Sequence, residues 1–384
     1  MKNKCRLVLA LAVLLLGGCQ EPFDPDNGNP SGPGTDSTPT PEREVDPEIT
    51  EPLMARNERI YDGRHVTAYV TYYGELTPDA YVMTHINYAF AEPDMDGDVY
   101  KGFKVQGKLE RFERIAALKK YNPELKICLS FANSDQGGGF SGLCKSEDNR
   151  KRFAEDCKAF LQKYGLDGID LDWEFPGLTW GKAAFDPSCD TENYVLLAKQ
   201  LRETLGADYE LSYAGYCSDA VTVEGGYRYV DIAGMDPYID YVNIMTYDLD
   251  QAPHHHSALK DSRAYKDCVR AVQAYLDRGV APQKLVLGIP FYGRHTWGHA
   301  ITYKSILQLD RYSYRRNQWD EIAQCPYVET MSGTFYCGYD NPRSIAAKGE
   351  WARKTGLLGL MYWEYDQDDA NGTLRTAVWN AVMQ

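Results

Sequence analysis

Several things are missing from this chain, and each absence removes a class of function. Of its 384 residues, 41 are Lys or Arg and 55 are Asp or Glu, which leaves a formal charge of −14 at neutral pH. There is no basic run to offset repulsion between an acidic protein and a phosphate backbone, so nucleic acid is excluded as a partner. No P-loop pattern opens a helix, which argues against nucleotide binding. No CxxC pair occurs, and the cysteine spacings fit no zinc ribbon. No apolar run approaches the roughly 18 residues of a membrane-spanning helix.

What is present begins with a processing segment. Lys2, Lys4 and Arg6 form a basic stretch, followed by the short apolar run Leu7 to Leu16 and then Gly17-Gly18-Cys19. Small residues before a Cys at the end of such a run resemble the bacterial lipobox, in which the Cys is lipidated after cleavage. Residues 1–19 are therefore expected to be a lipoprotein signal with Cys19 as the lipidation site. Ordinary cleavage, with Cys19 a bystander thiol, is the plain alternative. Residues 20–46 are rich in Pro, Gly, Asp, Ser and Thr and cannot bury enough surface to offset chain entropy. They read as a flexible tether, within a linker and pre-barrel segment spanning 20–62. The implied location is the bacterial cell envelope, with the chain lipid-anchored, monomeric and touching the membrane only through its N-terminal lipid.

Eight cysteines remain beyond Cys5 and Cys19. Export would permit disulfides, and Cys325 and Cys337, which flank a turn-rich segment, are the best candidate pair. Cys128, inside an apolar strand, reads as a small buried hydrophobe. His254, His255 and His256 invite a metal, but adjacent loop residues cannot easily converge on one ion. They read as a polar loop at a groove rim, and no metal site is expected. The stretch 92–98 hints at calcium but lacks the ordered ligands of an EF-hand, so it reads as a solvated turn.

From residue 63 onward, apolar strand-like runs alternate with amphipathic helix-like runs. Strands are expected near 66–73, 84–91, 126–131, 167–174, 209–214, 241–245, 285–289 and 359–363. Helices are expected near 109–121, 150–164, 192–205, 261–278 and 374–382. Repeated alternation argues for α/β architecture with a helix-covered parallel sheet, closed as a (β/α)8 TIM barrel over 63–384. A doubly wound open sheet is the alternative. The connection 294–339 is too long for a βα loop and rich in aromatics, which predicts a small inserted β-rich subdomain between strands 7 and 8.

The richest segment is Asp167-Gly168-Ile169-Asp170-Leu171-Asp172-Trp173-Glu174. Side chains alternate across a strand, so Asp170, Asp172 and Glu174 share one face, about 7 Å apart from neighbour to neighbour. Three acids on a crowded, buried face would be a folding liability without a use. Crowding drives carboxyl pKa values apart, so that one acid keeps its proton while its neighbour ionises. Acid catalysis on a glycosidic bond needs that arrangement. A total of 29 Tyr and 7 Trp fits a site that offers flat apolar faces to sugar rings, although a Tyr-rich core explains the same composition.

The run Asp167 to Glu174, continued by Phe175-Pro176-Gly177, resembles the DxxDxDxE signature of glycoside hydrolase family 18, the chitinase and endo-β-N-acetylglucosaminidase family. Tyr88-Ala89-Phe90-Ala91 resembles that family's second strand, and Asn243 to Asp248 its sixth-strand MxYD motif. Gly288 to Arg294 resembles the seventh strand and Gly359 to Glu364 the eighth. The resemblance implies hydrolysis of β-1,4 bonds in N-acetylglucosamine-containing oligo- or polysaccharides, with retention, substrate assistance and no cofactor. The substrate's own acetamido oxygen would attack the anomeric carbon. By resemblance, Glu174 is the general acid and then the base. Asp172 holds the acetamido N–H, Asp170 sets the charge of Asp172, and Tyr247 donates to the acetamido oxygen. Asp248, Tyr292 and Arg294 match sugar-contacting positions, and Trp363 matches the ring beneath the cleaved sugar. Tyr69, Phe90 and Met245 match pocket-lining positions. Asp167 is read as structural.

Two departures from the family pattern bear on the substrate. The third strand runs into Ser130-Phe131-Ala132-Asn133-Ser134 and a Gly-rich loop at 137–139, where an aromatic is usual. The loop after the MxYD motif carries Asp250 to His256 where a Trp is usual. Two stacking platforms on the leaving-group side are thus absent, which predicts weak processivity and soluble chains or glycan ends as substrates. Trp180, Trp297 or Trp319 could replace them. A chitinase or chitooligosaccharide hydrolase is the leading reading. An endo-β-N-acetylglucosaminidase acting on N-glycans is the runner-up, and a non-hydrolytic chitin-binding lectin is a third reading.

Overall fold

The computed structural model describes residues 63–133, 139–178 and 183–383. The signal segment, Cys19, the linker up to residue 62, Trp180 and the first two glycines of the 137–139 loop lie outside the described residues.

Eight parallel strands form the centre: β1 (His65–Thr71), β2 (His85–Asp96), β3 (Lys126–Ala132), β4 (Gly168–Asp172), β5 (Glu210–Gly215), β6 (Tyr241–Ile244), β7 (Leu285–Pro290) and β8 (Gly359–Trp363). Each pairs with the next, β8 pairs with β1 from His65↔Gly359 to Ala68↔Tyr362, and β1 pairs with β2. The sheet is therefore a closed barrel, and the open-sheet alternative is excluded. Strands covered by helices outside and by one another inside are buried on both faces, which is why β1, β4 and β7 are buried along their whole length.

The helices have readable ends. Glu147–Tyr164 starts at Ser146, whose side chain accepts from Asn149 N, and stops at Gly165 in the left-handed region with φ 64°. Pro342–Thr355 opens with a capping box made by Asn341 and Ser344.

Several expectations change. The expected 261–278 helix shortens to Cys268–Leu276, because the Asp267 side chain caps the backbone N–H of Arg270 and the preceding residues turn around Asp261. The 92–98 stretch is mostly strand: β2 continues to Asp96 and pairs antiparallel with Val99–Val105, leaving only a tight turn. Buried residues Tyr100, Phe103 and Val105 carry that unpredicted arm. The helices Phe140–Lys145 and Pro342–Thr355 were also not expected.

The β7–β8 connection contains a five-stranded antiparallel sheet, ordered His299–Thr302, Tyr292–Thr296, Phe335–Gly338, Cys325–Thr330, Tyr314–Asp320. The Cys325–Cys337 disulfide is not formed, and all eight described cysteines are free. Cys337 pairs in register with Val328. Cys325, three residues earlier on that strand, faces the opposite way, where its Sγ reaches the Ser257 carbonyl at 3.2 Å. Behind this sheet, Lys348 is fully buried and donates to Asp340 and to Ser257 Oγ, each at 2.7 Å. Ser257 Oγ donates in turn to the Thr246 carbonyl at 2.7 Å, just past β6. Among the described residues no helix is long and apolar enough to cross a membrane.

Candidate active site

The three alternating acids rise along β4 and just past its end. Asp170 is lowest and carries the densest set of donors. Its Oδ2 accepts from Tyr69 OH at 2.9 Å and Ser130 Oγ at 2.7 Å. Its Oδ1 accepts from Ser212 Oγ at 2.6 Å and Asn243 Nδ2 at 3.3 Å. Barrel register explains two of these contacts, because Ser130 and Ser212 lie directly beside Asp170 on the flanking strands. Burial raises the Asp170 pKa, and the four hydrogen bonds oppose the rise without cancelling it.

Asp172 and Glu174 form the next layer and interact with each other. Burial first, then the charges of Glu174 and Asp170, raise the Asp172 carboxyl well above its ordinary value. Glu174 is pushed up to about 7 by burial and by repulsion from Asp248, against the opposing effect of its hydrogen bond with Asp172. Two carboxyls so close and so dry cannot both ionise at neutral pH, and the pair keeps a proton. Asp172 Oδ1 is buried and has no hydrogen-bond donor among the described residues.

Opposite this pair, Tyr247 and Asp248 follow β6. Burial raises the Tyr247 phenol well above its ordinary range, so it remains a donor. Asp248 adopts the left-handed region with φ 54°, which aims its carboxylate at Arg294. Arg294 is buried, and its Nη2 donates to Asp248 Oδ2 at 2.7 Å while Nε donates to Oδ1. His256 Nδ1 stands 3.3 Å from Asp248 Oδ1. Burial alone would raise the Asp248 pKa, but His256 and the Arg294 charge together hold it below its ordinary value.

The expected wall residues converge here. Tyr69, Tyr247 and Tyr292 pack with Phe90, Met245 and Trp363 in one cluster. The Trp363 ring lies 5.7 Å from Phe90 at an interplanar angle of 22°, and 5.4 Å from Tyr69. Trp363 is half-buried, so the cluster presents an aromatic surface at the ends of the strands where barrel sites form. Asp167 lies apart from the site, accepting from Ile127 N at 2.8 Å and pairing with Lys119 and Lys126. The reading of the three histidines as a rim loop is corrected. His255 and His256 are buried, His256 beside Asp248 and His255 3.5 Å from Asp320. Trp319 lies under the Arg343 guanidinium at 3.7 Å, and Trp297 accepts from Arg294 through its carbonyl at 3.1 Å. No His, Cys, Asp and Glu grouping among the described residues could hold a metal ion.

The sequence assigns no site role to Ser130, Ser212, Asn243 or Glu364, and places His256 only in a rim loop. The signal for the first three was available, as small polar residues inside otherwise apolar strands. Glu364 follows β8 and is pushed up to about 7 by burial and the charge of Asp366.

Residues 65–368 match the family model for glycosyl hydrolases family 18. Chitinase A1 from Niallia circulans is 30% identical over 306 residues, covering 67% of this chain and 42% of that protein, so the chain spans less than half the length of that relative. Probable chitinase 2 from Drosophila melanogaster is 28% identical over 84% of this chain and 76% of its own length. Among solved structures, a family 18 N-acetylglucosaminidase from Paenibacillus barengoltzii aligns with a TM-score of 0.69 at 28% identity, covering 83% of this chain and 100% of that one. The barrel, the ordered acids of β4 and these matches agree, and the chain belongs to glycosyl hydrolases family 18.

Proposed function

We propose that this protein is a retaining, substrate-assisted hydrolase of β-1,4 bonds in N-acetylglucosamine-containing chains, with chitooligosaccharides as the leading substrate. The observation that carries the reading is Glu174, held near its proton at about 7 beside an Asp172 that is itself raised. Glu174 protonates the leaving oxygen. As the bond breaks, the substrate's acetamido oxygen closes on the anomeric carbon, and Tyr247 donates a hydrogen bond to steer it. Asp172 uses its unpartnered Oδ1 to accept the acetamido N–H and stabilises the positive charge on the ring. Glu174, now ionised, takes a proton from the water that opens the intermediate. Asp170 anchors the trio from below, and Trp363 supports the sugar. Asp248 and Arg294 order the opposite wall, with Tyr292, Phe90, Tyr69 and Met245 completing it.

The relatives named as chitinases support the chitin reading. The similar N-acetylglucosaminidase supports a second one, release of single sugars from chain ends. Incubating the protein with chitotetraose and with a high-mannose glycoprotein, followed by mass spectrometry, tests both. Shortened chitooligosaccharides are expected, single-sugar ladders would favour release from chain ends, and neither substrate changing would refute the proposal. We further propose lipid attachment at Cys19 and action as a monomer in the cell envelope. Cys19→Ala is expected to abolish palmitate labelling and membrane retention, and unchanged retention would refute the anchor.

A further inference from the structure

One close contact has no part in the chemistry above. Cys217 lies two residues past β5, and Lys266 lies two residues before the helix Cys268–Leu276. Lys266 Nζ stands 2.9 Å from Cys217 Sγ and 3.2 Å from Ser218 Oγ. Sulfur is larger than oxygen, so a nitrogen–sulfur approach equal to an ordinary N–H···O bond of about 2.9–3.0 Å is unusually tight. The amine is held from below by the face of Tyr216, 4.4 Å from its ring centre. Among the described residues no carboxylate pairs with Lys266 to draw it away. Cys217 is buried and Lys266 half-buried, so the pair is ordered while one edge stays open to a small oxidant.

We propose that Cys217 and Lys266 are the two ends of a redox-reversible nitrogen–oxygen–sulfur bridge formed with hydrogen peroxide. One peroxide molecule converts the thiol to sulfenic acid and releases water. A second converts the lysine amine to a hydroxylamine and releases water. The two hydroxyls then condense, one oxygen leaving as a third water and the other remaining between nitrogen and sulfur. Sulfur and nitrogen are both oxidised, and the peroxide oxygens are reduced. A direct sulfur–nitrogen bond would need the two side chains to approach much further, whereas an inserted oxygen spans the observed gap. The bridge would tie the loop after β5 to the segment before the next helix. Tyr216 packs 4.7 Å from Phe175, the neighbour of Glu174, so the tie would fix the aromatic wall beside the acid.

Intact-mass spectrometry of the purified protein before and after peroxide tests this. A gain of about 14 Da, one oxygen added and two hydrogens lost, is expected, reversed by dithiothreitol and mapped to joined peptides holding Cys217 and Lys266. Cys217→Ser and Lys266→Arg should each abolish the gain. No mass change, gains only in steps of about 16 Da, or a loss of about 2 Da from direct sulfur–nitrogen bonding would overturn the proposal. Persistence of the gain in either variant would do so as well. Should a variant fail to fold, the wild-type peptide map decides alone.

Discussion

The two sides of the site bury carboxylates to a similar degree and treat them in opposite ways. On the β4 side, Glu174 and Asp172 face each other and a third acid, with no cation among their dominant partners, and both pKa values rise. On the β6 side, Asp248 meets Arg294 and His256, and its pKa falls. Desolvation acts on all three, so what separates them is countercharge. One barrel thereby keeps a proton and a permanent negative charge close together, and the negative charge helps hold the proton where it is.

Removing the proton is the sharpest way to break this comparison. Glu174→Gln keeps the shape and loses the transferable proton, and kcat should fall by about 10³-fold or more while oligosaccharide binding is retained. Turnover near wild type would end the assignment. Breaking the other side should cost stability first. Arg294→Ala leaves Asp248 buried without its cation, and urea unfolding should show a loss of about 3–5 kcal/mol. A loss below about 1 kcal/mol would mean that the pair is solvated in solution. Asp172→Asn should lower kcat by about 10²-fold with a much smaller change in KM, since its proposed partner is charged only after bond cleavage. A change confined to KM would remove it from the chemistry.

Two pH experiments sharpen the comparison further. The basic limb of kcat/KM should lie near 7, the value for Glu174. Asp248→Asn removes a repelling charge, so Glu174 should release its proton more readily and the limb should move to lower pH, by less than about one unit. A shift upward would contradict the electrostatic account. Glu364 also sits near 7, so Glu364→Gln serves as the control, and the limb should stay in place. Stability follows the same sign. Folded Glu174 holds a proton that the unfolded chain has released above its ordinary 4.5, so this group's contribution is present below 4.5 and is lost as pH rises through 7.

Much of this was legible because burial leaves a plain trace. All eight barrel strands appeared as apolar runs, with β8 matching residue for residue and most of the others differing by only a few residues. The alternation in β4 placed the acids on one face directly. The antiparallel arm Val99–Val105 was hidden because Lys101, Gly102 and Lys104 interrupt the apolar pattern. The short helix Phe140–Lys145 was hidden because its apolar residues have no helical period long enough to read. Asp248, Arg294 and His256 were harder still. Arg294 and Asp248 lie 46 residues apart, and only tertiary folding turns a histidine-rich loop inward onto that carboxylate. The cysteine pairing failed for a related reason, since nearness in sequence says nothing about which face of a strand each sulfur takes.

The buried link from Lys348 through Ser257 to the Thr246 carbonyl carries a lesson for anyone recombining such enzymes. Tyr247 is the very next residue, so the crossover segment and the reaction centre share one bolt. A transplanted segment lacking Asp340 and Lys348 would arrive without its fastener and would strand Ser257 in a dry interior. Domain-shuffling designs should therefore cut outside Thr246 and Lys348 and move the whole block between them as a single cassette.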